Sequence, residues 1–415
     1  MGISLETGAA SERPSPDRVT GPDPLPSVEA SKGRVAVLVA PLDPECPHEN
    51  LGAAQKITLV ARLLHGMGLM VHFVDSSHSQ PRWKRETQGA PCTIGDVPVT
   101  LWRPPMFRSR PVGKLLNVIH LGNLPERLAA LNPSLVWLYN PYAFEARLGS
   151  ALARRCNAKV LLELEDLPTA RRRGLSPKPW IDQIYFQGLL RTCDFITYVN
   201  ADLMRSHPPR KGRSMLFPSI IGSDLESMPL RTRFSEAPFR IGYFGGLERE
   251  KGAEALLAAV PVLPAHWRLV ATGTGSLSRD FESLMQRHPD RLEFHGQVTR
   301  GRLIELMGTC DAIVNPHSPI SAMANGVFPF KVCEALVTGA LLISTPVPAI
   351  AEPIEEAFIA FDGSATDFVA SLDLAPDRYR CTTSAINRVR EAILARYSEA
   401  AVSAQLRALL GGVRA

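Results

Sequence analysis

Lys331 and Glu334 stand three residues apart in Asn325-Gly326-Val327-Phe328-Pro329-Phe330-Lys331-Val332-Cys333-Glu334-Ala335. Pro329 suits the first turn of a helix, and a spacing of three puts Lys331 and Glu334 on one helical face near its positive end. A carboxylate there can accept hydrogen bonds from two vicinal hydroxyls such as a ribose presents. The lysine beside it can hold phosphate. The apolar residues that follow, Ala335-Leu336-Val337 and Leu341–Ile343, predict a helix that packs inward, where an unpartnered charge is costly. Two glycine-rich turns precede this stretch. Phe244-Gly245-Gly246-Leu247-Glu248-Arg249-Glu250-Lys251-Gly252 lets the backbone approach a ligand, and Lys251 adds a mobile cation at a helix N-terminus that favours phosphate. In Ala271-Thr272-Gly273-Thr274-Gly275-Ser276 the glycines permit a tight strand-to-helix passage. Neither turn is G-x-G-x-x-G or a P-loop, so hydride transfer and ATP hydrolysis gain no support.

The first half holds a second group of acids. In Leu162-Glu163-Leu164-Glu165-Asp166 the alternation places Glu163 and Glu165 on one sheet face and Asp166 on the other. At the carboxyl end of a strand such carboxylates can orient an acceptor hydroxyl or receive its proton. A solvated loop start with a helix-capping Asp166 is the competing reading. Arg171-Arg172-Arg173 and Lys178 can pair with these acids or meet an anionic acceptor. Asn140-Pro141-Tyr142 and Glu145 can shape the acceptor site, with a helix-capping Asn140 as the alternative. Asn50 and Gly52 sit in a loop before the first helix, whose amides can meet phosphate.

These groups need a scaffold. Val35–Ala40, Met70–Asp75, Leu135–Tyr139, Lys159–Leu164 and Phe195–Val199 read as apolar strands separated by helical patterns, with Ser214–Pro218 closing the set. Phe239–Phe244, Trp267–Ala271, Leu292–His295, Ala312–Asn315 and Leu341–Ser344 form a second set. Two successive alternations predict an α/β protein of two doubly wound, Rossmann-like domains, with a ligand cleft at the carboxyl ends of their strands. The expected boundaries are a disordered tail over 1–33, domains over 34–215 and 216–380, and terminal helices over 381–415.

The order of these segments resembles the donor domain of the GT-B retaining glycosyltransferases of family 4, the glycosyl transferases group 1. The carriers are Tyr243–Gly252, Ala271–Ser276, the run 292–317 and Phe328–Pro346, including Glu334-Ala335-Leu336-Val337-Thr338-Gly339-Ala340-Leu341-Leu342-Ile343. The resemblance covers about 240–350 well and 34–215 more weakly. It implies that Lys251 contacts a donor diphosphate, that Gly245 and Gly246 line the phosphate site, and that Glu334 binds the nucleotide ribose. It also implies retention of anomeric configuration, with the second domain taking the nucleotide sugar and the first the acceptor. Three departures stand out. Gly246 occupies a position where the family often has arginine. Gly326 stands where the E-x7-E pattern needs a glutamate, so Pro329, Lys331 and Glu334 read as a P-x-K-x-x-E variant whose lysine replaces the lost cation. Glu165 falls where the family commonly has histidine, while Asp166 is kept.

Composition sets the outer limits. The 415 residues are 45% hydrophobic and 21% charged, with mean hydropathy −0.01. No run approaches the roughly 18 apolar residues of a membrane span, and no basic-then-apolar leader precedes the first strand, so a cytoplasmic protein is expected. Seven scattered cysteines, without a C-x-x-C pair, fit reduced thiols. The histidines have no zinc spacing and no D-x-D is suitably placed, so no metal and no cofactor are expected. The net charge of +5 hides an asymmetry, with Lys+Arg exceeding Asp+Glu by ten over 34–215 and falling three short over 216–415. The basic half points to a phosphate-bearing partner, and with no nucleic-acid motif this reads as a lipid-linked glycan or an anionic membrane at the inner face. The sequence thus predicts a metal-independent glycosyltransferase of polysaccharide or glycolipid synthesis. A nucleotide-sugar 2-epimerase of the same fold and a non-catalytic relative that only binds remain as alternatives.

Overall fold

The structure, a computed structural model, describes residues 34–45, 51–77, 86–104, 116–117, 119–168, 177–229, 238–317, 330–347 and 357–411. The tail over 1–33, Asn50, Arg171–Arg173, Gly326 and Pro329 lie outside these.

The first sheet has eight strands in the order β3-β4-β2-β1-β5-β6-β7-β8. They are β1 (Arg34–Ala40), β2 (Leu69–Asp75), β3 (Thr87–Ile94), β4 (Val97–Arg103), β5 (Leu135–Tyr139), β6 (Lys159–Leu164), β7 (Phe195–Tyr198) and β8 (Arg213–Leu216). All pair in parallel except the edge strand β3, which returns antiparallel on β4. Helix α1 (Leu51–Gly66) covers one face. On the other lie α2 (Leu124–Ala130), α3 (Ala143–Cys156) and α4 (Lys178–Thr192). Covered on both faces, the central strands carry no polar alternation, and β5 is buried at every position. The hairpin β3–β4 has no counterpart in the sequence reading. Its first strand, Thr87–Ile94, contains Gly89 and Pro91 and mostly faces solvent, so no apolar run marks it.

After α5 (Ala201–Ser206) and α6 (Ser223–Glu226), a six-stranded parallel sheet follows in the order β11-β10-β9-β12-β13-β14. Its strands are β9 (Phe239–Phe244), β10 (Trp267–Thr272), β11 (Leu292–Phe294), β12 (Ala312–Asn315), β13 (Leu341–Ser344) and β14 (Phe358–Ala360). Helices α7 (Ala253–Ala259), α8 (Ser278–Arg287), α9 (Arg300–Thr309) and α10 (Phe330–Val337) alternate with them. The two doubly wound, Rossmann-like sheets expected from the sequence are present.

The C-terminal region differs from expectation. Helix α11 spans Ala365–Tyr397, so position 381 falls inside one continuous helix rather than at a boundary. Buried Phe368, Leu372, Ala375 and Tyr379 continue the apolar spacing of Ile386, Val389 and Ile393, and Pro376 does not end it. Helix α12 (Glu399–Leu410) then returns to the first sheet. There Val402, Leu406, Leu409 and Leu410 join the core under α1. Arg62 Nη1 on α1 donates to Glu399 at 2.9 Å, and Arg407 Nη2 to the Gly66 carbonyl at 2.9 Å.

Candidate active site

The second sheet presents its turns at one edge. Gly245 extends β9, its amide donating to the Thr272 carbonyl at 3.1 Å, so that amide is committed to the sheet rather than to a ligand. Leu247 N–H donates to Thr274 at 2.9 Å, and Glu248 accepts from Ser276 N–H at 2.9 Å, locking the two glycine-rich turns together. This explains Gly273: a Cβ there would lie 1.8 Å from the Gly245 carbonyl oxygen, at φ +136°. A Cβ on Gly252 would meet the Pro316 carbonyl at 1.6 Å, at φ +75°. Gly275 approaches the Leu247 carbonyl in the same manner. Gly273 and Gly275 therefore let the loops pack. Gly246 is different, since its Cβ position has only Lys251 Cγ within 4 Å, at 3.8 Å.

Two lysines converge on this edge. Lys331, the second residue of α10, places its ammonium against Gly245, where a Cβ would be 2.6 Å from Nζ. Lys251 closes a 3₁₀ turn and lies 3.3 Å from His317 Nε2 after β12. Lys331 is exposed, yet protein atoms crowd its ammonium. Desolvation lowers its pKa to about 8, Lys251 adds to the lowering and Glu334 opposes it. The exposure is that of a cleft floor that solvent and ligand both reach. Two cations held this close suit an anion.

Glu334 is buried in the same helix, and Lys331 forms no ion pair with it. Its Oε1 instead accepts from Arg300 Nη1 on α9 at 2.9 Å and from Gln55 Nε2 on α1 at 2.8 Å. Arg300 also pairs with Asp224 on α6 at 2.8 Å. The Gln55 bond joins the first domain directly to the carboxylate on the second. Phe330, beside Lys331, packs on the core under α1.

Across the cleft, Glu163 and Glu165 share a face at the end of β6, but their partner is Lys56 of α1, which the sequence reading missed. Lys56 Nζ lies 2.7 Å from Glu163 Oε1 and also pairs with Glu165. Tyr139 donates its hydroxyl to Glu165, and Trp137 Nε1 donates to Glu163 at 2.7 Å. Burial alone would lower the Lys56 pKa, but the two carboxylates more than offset this and it rises. Burial raises Glu163, with Lys56 opposing and Glu165 assisting. Glu163 is sealed at 2% side-chain exposure while Glu165 keeps 17%, so Glu165 is the acid within reach of a ligand.

Asn140 does not cap a helix, because the N-cap of α3 is Tyr142. At φ +69° its Oδ1 accepts from the Glu165 and Asp166 amides at 3.0 and 2.9 Å, clamping β6 beside β5. Nor does Asp166 cap α4, whose N-cap is Pro177. Lys178 pairs with Asp182 at 2.6 Å rather than with Glu163 or Glu165. Gly52 lies in the first turn of α1. Glu145 is buried, accepts from Ser76 Oγ at 2.5 Å, and is pushed up to about 7 by burial. Beside it at the strand ends, Arg103 pairs with Asp43 and Asp75 at 2.7 and 3.2 Å. Among the described residues no group of three or more His, Cys, Asp or Glu could hold a metal.

With this geometry in view, the comparisons agree. Residues 238–374 match the family model for glycosyl transferases group 1. No curated protein matches the chain. Among solved structures, sucrose-phosphate synthase from Thermosynechococcus elongatus is similar at TM-score 0.66 and 16% identity, covering 91% of this chain and 98% of that one. HepE of Anabaena in complex with UDP-glucose is similar at TM-score 0.63 and 13% identity, covering 91% and 100%. Starch synthase IV from Arabidopsis thaliana, bound to ADP and acarbose, is similar at TM-score 0.57 and 13% identity, covering 92% and 99%. The chain thus carries a glycosyl transferases group 1 domain on a GT-B fold, and it is a glycosyltransferase of that fold.

Proposed function

We propose that the chain transfers a sugar from a nucleotide-diphosphate sugar to an acceptor hydroxyl, with retention and without a metal, as a family 4-type enzyme of polysaccharide or glycolipid synthesis. The observation that carries this reading is the pair of ammoniums, Lys331 against Gly245 and Lys251 beside His317, on the turns that close the second sheet. Charge that develops on a departing diphosphate is stabilised there by groups already in place. Glu334, with Oε1 held by Arg300 and Gln55, keeps Oε2 for the nucleotide ribose. On the opposite wall Glu165 orients the acceptor hydroxyl or takes its proton. The UDP-glucose of the HepE complex supports a nucleotide-sugar donor here. The basic first domain favours a lipid-linked acceptor met at an anionic membrane from the cytoplasmic side.

A thermal-shift screen against UDP, GDP, ADP, CMP and dTDP tests the donor reading. A ligand at 100 times its Kd stabilises by about 2.7 kcal/mol, so one nucleotide should stand out. Lys331→Ala and Glu334→Ala should abolish that shift. No shift with any nucleotide would sink the proposal. A new sugar epimer formed from donor alone would favour the epimerase.

A further inference from the structure

Helices α3 and α4 present matched stripes to solvent on the far side of the first sheet. Arg147, Ser150 and Arg154 follow the spacing of one helical face on α3; Ile184, Tyr185 and Gly188 do so on α4. Between them runs a groove of about 850 Å³. Small side chains make its floor, and no heavy atom lies within 4 Å of where a Cβ on Gly188 would stand. Arg147 extends over the Tyr185 ring at 6.0 Å, and neither Arg147 nor Arg154 forms an ion pair. The acids nearby are already matched, Glu126 by Arg155 and Asp182 by Lys178.

The apolar side of the same surface is uncovered. Five large hydrophobic side chains are exposed among the described residues, and two of them, Trp180 at 60% and Ile184 at 72%, lie one turn apart on α4. Trp180 begins the helix and therefore lies at the carboxyl end of the strands, beside the cleft. A bare tryptophan and isoleucine next to two unpaired arginines fit the headgroup zone of a bilayer, where an indole sits at the interface and guanidinium groups meet phosphate. A second copy of the chain fits worse: a twofold contact on this face would bring the arginines against their symmetry mates.

The geometry points to this α3–α4 surface as the docking face for an anionic phospholipid bilayer, with lipid phosphates seated in the groove by Arg147 and Arg154 and with Trp180 and Ile184 inserted at its cleft end. This deepens, and rests on, the reading of the acceptor as lipid-linked, since a bilayer lying there delivers the acceptor head to the cleft mouth.

Sedimentation of the full chain with vesicles of equimolar phosphatidylglycerol and phosphatidylcholine, against phosphatidylcholine alone, tests it. Binding should require the anionic lipid and weaken with salt. It should fall about tenfold or more in R147E/R154E and comparably in W180S/I184S. Both variants should keep the nucleotide-induced thermal shift of the unaltered chain, which separates lost docking from lost folding. Equal binding to neutral vesicles, unchanged binding by both variants, or a dimer that I184E dissociates would overturn the inference. Absence of vesicle binding beside an intact nucleotide shift would defeat the docking face alone. Absence of any nucleotide shift would defeat the functional reading instead.

Discussion

Replacing Lys56 by methionine leaves two carboxylates facing each other in a nearly closed pocket. The ammonium has 3% side-chain exposure and Glu163 has 2%, so water cannot take over its role. Removing one partner of a buried pair costs about 3–5 kcal/mol, because the charge left behind is neither solvated nor matched. The loss should depend on pH in a defined sense. Lys56 has its pKa raised above 10.5, so its own contribution is fully present below 10.5 and is lost only at higher pH. Glu163 is already raised by burial despite Lys56, and without Lys56 it rises further. A carboxyl whose folded pKa exceeds its unfolded value binds more protons when folded, so stability falls as pH rises through that window. Urea unfolding of K56M should therefore show the full deficit at pH 7.5 and a smaller one at pH 5. K56M/E163Q should recover part of it, since a glutamine oxygen still accepts from Trp137 Nε1. A deficit under about 1 kcal/mol, as for an exposed pair, or one that grows on acidification, would refute the reasoning.

Other perturbations bear on the donor wall. Lys331, lowered to about 8, is mostly charged below that pH; nucleoside-diphosphate affinity by calorimetry should fall as pH rises from 7 to 9, and K331A should bind weakly and without this slope. Gly246→Arg has room at its Cβ and supplies a third cation, so it should tighten diphosphate binding by about tenfold, as one charge-assisted hydrogen bond would; weaker binding would mean that Lys331 already fills the place of the missing arginine. Gly252→Ala puts a methyl 1.6 Å from the Pro316 carbonyl in left-handed backbone, and should lower the melting temperature and displace Lys251 from His317, seen as lost nucleotide binding.

The apolar strand runs and the glycine-rich turns between strand and helix made the two doubly wound sheets legible in the chain. So did the local pairing of chemistry with helix start at Lys251, Lys331 and Glu334. These are short-range features, in which a few adjacent residues carry both the backbone geometry and the charge. The hairpin β3–β4 was not legible because an exposed edge strand has no need of an apolar run. The course of the last helix was hidden because its apolar stripe does not say which sheet it covers.

The partners of the site residues were beyond the sequence as well. Lys56 meets Glu165 from 109 residues away, and Gln55 reaches Glu334 from 279. Nothing in their neighbourhood marks them, since a lysine and a glutamine early in a helix ordinarily face water. Tertiary packing decided otherwise. Ile57, Val60, Ala61 and Leu64 fix the roll of α1 on the first sheet, and that roll turns Lys56 down onto β6 and Gln55 outward to the second domain. The sequence determined which groups can do the chemistry; the docking of α1 determined which of them are neutralised, which are held, and which remain for a substrate.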